Sequence, residues 1–343
     1  MTELQFILNP LPDLLPYRPH PDREHVEDLS NQWTRRYLGP LMTKPEALNE
    51  FLGQRLALWP GMCYPAAPPE RLLNICNWNQ YWFFMDDMAA YTEHLGSDPV
   101  GARTAFDSLR QITHGTHTAP LAGHEKIFSA LFQAITSDMP EQLAARFVAD
   151  LDDMLDGFER EIELRSAGYV DTDHVDQLIA ARLQACGMLW CFDLSEYGLG
   201  IDLSNDLDRH PGLRRIRDLA VRQTCLFGEI FSFRKEYFSS DGMNAIAALI
   251  AQNEHSLQEA VDILHARGSA AEHEFVAACD AIRKSDLGQR PEIHAYLDEI
   301  GHQIAGVTRW ELQTPRYHGP EFQWDGRLAG HWKLLPGETL ELG

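Results

Sequence analysis

Apolar residues recur three and four positions apart through most of this chain, the spacing that lines one face of an α-helix. The pattern predicts helices over Arg23–Leu38, Lys44–Leu58, Pro69–Leu95, Pro99–Thr113, Gly123–Ser137, Pro140–Ser166, His174–Cys191, Leu213–Tyr237, Met243–Gly268, Ala270–Lys284 and Pro291–Arg309. Several open on a proline, whose missing N–H is no loss in a first helical turn. Alternating β-branched runs closed by Asn-Gly or Asp-Gly turns are lacking, so strands are not expected. Residues 1–22 carry Pro10, Pro12, Pro16, Pro19 and Pro21, and read as an extended arm lying over the surface of the domain. The Gly- and Asp-rich stretch 198–211 is the richest loop, too short to be a linker, and there is no internal repeat. The expectation is an all-α chain: the arm, then one domain over 23–343, a helical bundle with a site between facing helices.

Composition narrows what the bundle does. The chain has 343 residues, 44% hydrophobic and 10% aromatic, as in a folded globular protein. Lysine plus arginine number 29 against 51 for aspartate plus glutamate, a net charge of −22. A general nucleic-acid binder needs a basic footprint and is excluded. A polyanionic substrate must be met by metal ions or by a local basic cluster. The six cysteines, Cys63, Cys76, Cys186, Cys191, Cys225 and Cys279, show no CxxC pairing and read as reduced packing residues. No apolar run is long enough to span a bilayer, and Met1-Thr2-Glu3 lacks the basic start of a signal peptide. The expected compartment is the cytoplasm.

Two acidic segments carry the chemistry. Tyr81-Trp82-Phe83-Phe84-Met85-Asp86-Asp87 ends a helix. Trp82 lies one turn before Asp86 and Phe83 three residues before it, on nearly the same face. Aspartates seldom sit beside an apolar wall without a compensating cation or hydrogen bonds, which suggests a greasy cavity with a metal at its mouth. The bland alternative is a helix that leaves the core at Phe84 with both aspartates in water. In the second segment, Gly228-Glu229-Ile230-Phe231-Ser232-Phe233-Arg234-Lys235-Glu236, residues 228, 232 and 236 share one face. A hydroxyl and a carboxylate one turn apart make a hard oxygen site suited to Mg²⁺. The alternative is a polar stripe on an amphipathic helix.

Together the segments resemble the class I terpene synthases of bacteria and fungi. That family sets an aspartate-rich motif and an Asn-Asp-x-x-Ser-x-x-x-Glu motif on facing helices. Arg182 stands where the family has the arginine that senses the substrate diphosphate, and Arg316-Tyr317, in Trp310-Glu311-Leu312-Gln313-Thr314-Pro315-Arg316-Tyr317, resembles its C-terminal Arg-Tyr pair. The four matches run from residue 82 to residue 317. Two positions depart from the family pattern. The third acid of DDxxD is Ala90 here, and the next acid, Glu93, reads as a solvated glutamate. The first chelating residue of the second motif is Gly228, which offers no side-chain oxygen. Glycine inside a helix costs about 1 kcal/mol relative to alanine, so it hints at a requirement for space, filled by a water in place of the missing amide.

The resemblance implies a class I fold with a central apolar active-site cavity, and Mg²⁺-dependent ionisation of a prenyl diphosphate followed by cyclisation of the carbocation. Three Mg²⁺ ions are implied, with Asp86, Asp87, Glu229, Ser232 and Glu236 as ligands. Arg182, Lys235, Arg316 and Tyr317 are the implied diphosphate donors, and Trp82, Phe83 and Trp310 the implied wall, whose faces attract a cation. Farnesyl diphosphate is the first expectation. A twenty-carbon diphosphate is the alternative within the class, and a catalytically impaired diphosphate-binding relative the alternative outside it. A chain-elongating prenyltransferase would need a second aspartate-rich motif, which residues 228–236 do not supply. Each residue has an ordinary competitor: Arg182 as a surface arginine, the aromatics as core, Cys186-Gly187 as either a helix break or a close helix contact. The run Arg214-Arg215-Ile216-Arg217 reads as a solvated face balancing 202–208, and the histidines have no ligand spacing. A homodimer is an open expectation.

Overall fold

The computed structural model describes residues 4–42, 44–90, 95, 98–166, 175–239, 243–253, 255–334 and 340–342. Helices dominate: α1 Arg23–Tyr37, α2 Pro45–Gly53, α3 Leu58–Cys63, α4 Pro69–Ala90, α5 Pro99–Thr113, α6 Gly123–Thr136, α7 Glu141–Ser166 and α8 Val175–Ala185. They continue with α9 Met188–Leu199, α10 Ser204–Arg209, α11 Pro211–Phe238, α12 Ala245–Asn253, α13 Leu257–Arg283, α14 Pro291–Glu311 and α15 Pro315–His318. Glu93 lies outside the described residues, as does the start of the helix expected from His174. Among the described residues no helix is long and apolar enough to cross a membrane.

The bundle is held by one large core that runs from α1 and α3 through α4 to α14. α4 is buried nearly all round, with Trp78, Tyr81, Trp82 and Met85 all inside. α11 is the other central helix, seated on α13 and α14. Gly268 makes the α11–α13 approach possible, since a Cβ there would lie 3.1 Å from the Phe227 ring. The chain therefore does not break at residues 268–270 as periodicity suggested; α13 runs through, and the break falls earlier. There Ser256 caps α13 reciprocally with Glu259, the side chain of each accepting from the backbone N–H of the other.

The arm is more than a cover. Leu4–Leu8 forms a strand, β1, antiparallel to β2 (Gly330–Leu334), which pairs with β3 (Glu341–Leu342). Phe6 and Leu8 alternate inward with Trp332 and Leu334, and Trp332 meets Phe231 of α11 at 5.7 Å. A second apolar cluster thus backs the face of α11 turned away from Gly228, Ser232 and Glu236. The arm beyond β1 is tied down by Asn9 to Asp262, Asp13 to Arg309 and His20 to the Ala67 carbonyl. Arg214 and Arg215 are exposed, but Arg217 is buried, against the expectation of a wholly solvated run. Its guanidinium is paired with Asp150 at 2.6 Å and Asp193 at 3.0 Å, which compensates its burial.

Candidate active site

The two acidic segments, at the end of α4 and in the last third of α11, line one cavity of about 210 Å³. Trp82, Phe83 and Asp86 contribute from α4, and Gly228, Glu229, Ser232, Lys235 and Glu236 from α11. Arg182 enters from α8, Trp310 and Glu311 from α14, and Arg316 and Tyr317 from α15. The aspartates of α4 therefore do not simply run out into water. Asp87 is the exception among the expected residues: it sits beside the cavity and faces two cations.

Those cations lock α4 to the other elements. Arg316 donates to Asp86 at 2.8 Å and to Asp87 at 2.8 and 3.2 Å, and Gln54 accepts from its other side at 2.6 Å. Its guanidinium stacks over Phe83, 5.0 Å from the ring centroid. Lys235 of α11 reaches the same Asp87 at 3.4 Å. Thr314 caps α15 and hydrogen-bonds the Gln54 carbonyl, which fixes the base from which Arg316 projects. Trp310 ties the same corner through its indole N–H to the Arg55 carbonyl.

Arg182 has a matching place across the cavity. It meets Glu229 at 2.6 Å, Glu161 at 3.0 Å and Glu236 at 3.2 Å. The α8 helix ends three residues later and the chain turns through Gly187, whose φ is +69°. The alternatives left open at Cys186-Gly187 resolve to a helix break. Glycine is needed there twice over, for the left-handed backbone and because a Cβ would lie 2.6 Å from the Trp190 indole nitrogen. Glu229 has both oxygens engaged, one by Arg182 and one by the Ala245 N–H at 2.6 Å. Glu229, expected as a metal ligand, thus holds Arg182 and the α12 start, and Glu236 likewise has both oxygens engaged, by Arg182 and Asn244. Asn244 completes the anchor, donating to the Glu229 carbonyl at 2.8 Å and to Glu236 at 2.7 Å.

Several lining residues escaped sequence reasoning. Trp190, Trp59, Phe158 and Met154 extend the apolar wall, and Asn79, Glu161 and Glu311 add polar atoms. Asn79 lies two helical turns before Asp86 on the same face, so its position was available from spacing. The others come from helices without a motif. The aromatic contacts are tilted, Trp82 to Trp190 at 6.5 Å and Phe83 to Trp310 at 5.6 Å.

Burial sets the electrostatics. It pushes the carboxyls of Glu161 and Glu236 up to about 7 although Arg182 opposes the rise. It pushes Glu311 well above the usual range, with Cys186 and Glu229 adding to the rise. Asp87 ends below the usual range, because Arg316 and then Lys235 outweigh its burial. The donors fit a divalent cation by type: Asp86, Glu236 and Ser232 offer only oxygen. The Ser232 hydroxyl is buried with no hydrogen-bond partner among the described residues, so it is free to ligate. Among the described residues, no three acidic, histidine or cysteine side chains by themselves enclose an ion. A cation here would complete its shell with substrate oxygens and water, as Mg²⁺ commonly does.

Comparison with known proteins agrees with this geometry. The family model "Terpene synthase family 2, C-terminal metal binding" matches residues 77–274, a span that holds both acidic segments and Arg182. The chain is 24% identical to microbial terpene synthase-like protein 13 of Selaginella moellendorffii, over 92% of this chain and 88% of that protein. It is also 24% identical to a 7-epi-α-eudesmol synthase of Streptomyces viridochromogenes, over 90% of each. Among solved structures, germacradien-4-ol synthase from Streptomyces citricolor superposes with a TM-score of 0.76 at 21% identity, over 88% of this chain and 98% of that one.

Proposed function

The chain belongs to the terpene synthase family, and from that premise we propose that it is a class I terpene cyclase acting on farnesyl diphosphate, with Mg²⁺ as cofactor. The observation that carries the reading is convergence: Asp86, Ser232, Glu236, Arg182 and Arg316 face one cavity whose remaining walls are largely aromatic and aliphatic. Oxygen donors and fixed cations at one side of an apolar hollow suit a substrate with a diphosphate head and a hydrocarbon tail. The fifteen-carbon choice is supported by the Streptomyces viridochromogenes relative, whose name specifies cyclisation of (2E,6E)-farnesyl diphosphate.

Asp86 on one side and Ser232 with Glu236 on the other would hold the divalent ions, three by family likeness. When bound, the ions act as Lewis acids on the leaving diphosphate. Arg182, Lys235 and Arg316 donate charge-assisted hydrogen bonds to the same oxygens, and Tyr317 adds a hydroxyl. Arg182, Lys235 and Arg316 are pre-paired with acids, so they are held in place before substrate arrives and exchange carboxylate for diphosphate when it does. Trp82, Phe83, Trp190 and Trp310 then keep water from the allylic cation and offer their faces to its charge, worth about 0.5–2 kcal/mol each when desolvated.

The reading is tested by incubating the purified chain with Mg²⁺ and each of the ten-, fifteen- and twenty-carbon prenyl diphosphates, then analysing hydrocarbon extracts. A cyclic product from the fifteen-carbon substrate is expected. Release of neither hydrocarbon nor diphosphate from any of the three would overturn it.

A further inference from the structure

Position 228 is the one place in the second motif where a side-chain oxygen is missing. The space it vacates is not empty. A Cβ at position 228 would lie 3.0 Å from Oε1 of Glu311, which comes from the last residue of α14. Glu311 is 6% exposed, lines the same cavity as Ser232 and Glu236, and its Oε2 has no hydrogen-bond partner among the described residues. One turn along α11, the Ser232 hydroxyl is buried and unpartnered as well. Two orphaned oxygens on one wall are costly unless something binds them. Glu311 therefore occupies the place that the expectation at Gly228 gave to a water.

We propose that Glu311 is a metal ligand supplied from a second helix, its carboxylate standing where an asparagine at position 228 would otherwise reach. The inference rests on the class I reading above and adds a ligand to it. It also explains the glycine. Any side chain at 228 would compete with Glu311 for one site, so the absence of the first and the presence of the second form a single exchange. The exchange moves the donor from α11 to α14, four residues before Pro315 and the turn that carries Arg316 and Tyr317. Cation binding through Glu311 would thereby also steady the base of α15.

The test measures Mn²⁺ uptake by electron paramagnetic resonance, in the presence of inorganic diphosphate, for the wild type, Glu311→Ala, Gly228→Asn and the double variant. Glu311→Ala is expected to weaken Mn²⁺ binding at least about ten-fold. The double variant, with the asparagine restored and the glutamate gone, is expected to return to within about three-fold of wild type. Unchanged binding in Glu311→Ala, or a double variant no better than Glu311→Ala, would overturn the inference. Glu311→Gln keeps the volume and serves in the same comparison if truncation unfolds the chain. A wild type that takes up no Mn²⁺ under these conditions would count against the class I reading itself, whereas normal wild-type uptake beside an unaffected Glu311→Ala would sink the assignment of Glu311 alone.

Discussion

Arg316 donates to Asp86 across 2.8 Å although 230 residues separate them in sequence. The same guanidinium holds Asp87 at 2.8 Å, yet the two aspartates are not equivalent. Asp86 lines the cavity with its side chain 41% exposed, whereas Asp87 is turned to Arg316 and Lys235. Arg316 must give up Asp86 when a cation binds there, and it keeps Asp87 as its anchor. Asp86→Asn is therefore expected to lower kcat/KM by about 100-fold or more, as removal of a principal electrostatic group does. Asp87→Asn should cost about ten-fold, seen mainly in KM, because it loosens Arg316 and leaves the cation site standing. Equal losses from the two substitutions would contradict this division of labour.

Arg182 is a counter-charge shared by Glu161, Glu229 and Glu236. Arg182→Ala leaves three buried carboxyls together and should destabilise the metal-free protein by about 3 kcal/mol. The penalty carries a pH signature. Glu161 and Glu236 titrate near 7 in the folded chain, above their usual range. Acids raised in this way stabilise the fold while protonated, and that contribution is lost as pH rises through about 7. Without Arg182 the carboxylates repel more strongly once ionised, so denaturant unfolding should show a larger loss at pH 8 than at pH 6. A loss that does not depend on pH would mean that these acids do not feel Arg182.

Gly187 and Gly115 share a left-handed backbone, with φ of +69° and +67°. Their surroundings differ. A Cβ at Gly115 meets nothing within 4 Å, whereas at Gly187 it meets Trp190 at 2.6 Å and Met154 at 2.8 Å. Gly115→Ala is expected to cost about 1 kcal/mol, the backbone term alone. Gly187→Ala should cost about 3 kcal/mol and also lower turnover, since Trp190 and Arg182 flank the break. Thermal melts and product assays of the two variants compare the backbone term with the packing term directly.

The parts of the site that the sequence discloses are those written within one helix. Asp86 follows Trp82 by a turn, and Ser232 precedes Glu236 by a turn, so helical periodicity alone puts each set on one face. Arg182 and Arg316 became legible through family spacing. Glu311, Trp190 and Asn244 did not, because their relevance depends on how α14, α9 and the start of α12 lie against α11, and that is fixed by tertiary packing. Adjacency in the motif suggested Glu229 as a ligand but could not disclose its three-dimensional neighbours, Arg182 and the Ala245 N–H. The strand Leu4–Leu8 was hidden because its partner lies at the far end of the chain, and five residues with two inward side chains make a weak periodic signal.

His318 bears on stability rather than turnover. The ring is fully buried between Phe322 at 4.5 Å and Trp332 at 5.2 Å, with Nε2 on the Glu311 carbonyl at 2.6 Å and Nδ1 unpartnered. Burial, aided by Arg234, holds its pKa down at about 3, although the carbonyl favours a proton on Nε2. The unfolded chain takes up a proton near pH 6.5, whereas the folded chain does not until near 3. Stability is therefore lost as pH falls through 6.5, at about 1.4 kcal/mol per pH unit well below that point. Between pH 7.5 and pH 5.5 the wild type should lose about 1.4 kcal/mol more than His318→Gln, which keeps a donor for the Glu311 carbonyl but cannot titrate. Urea unfolding of both proteins at the two pH values measures the difference; parallel losses would show that the ring titrates in the folded chain as it does in the unfolded one.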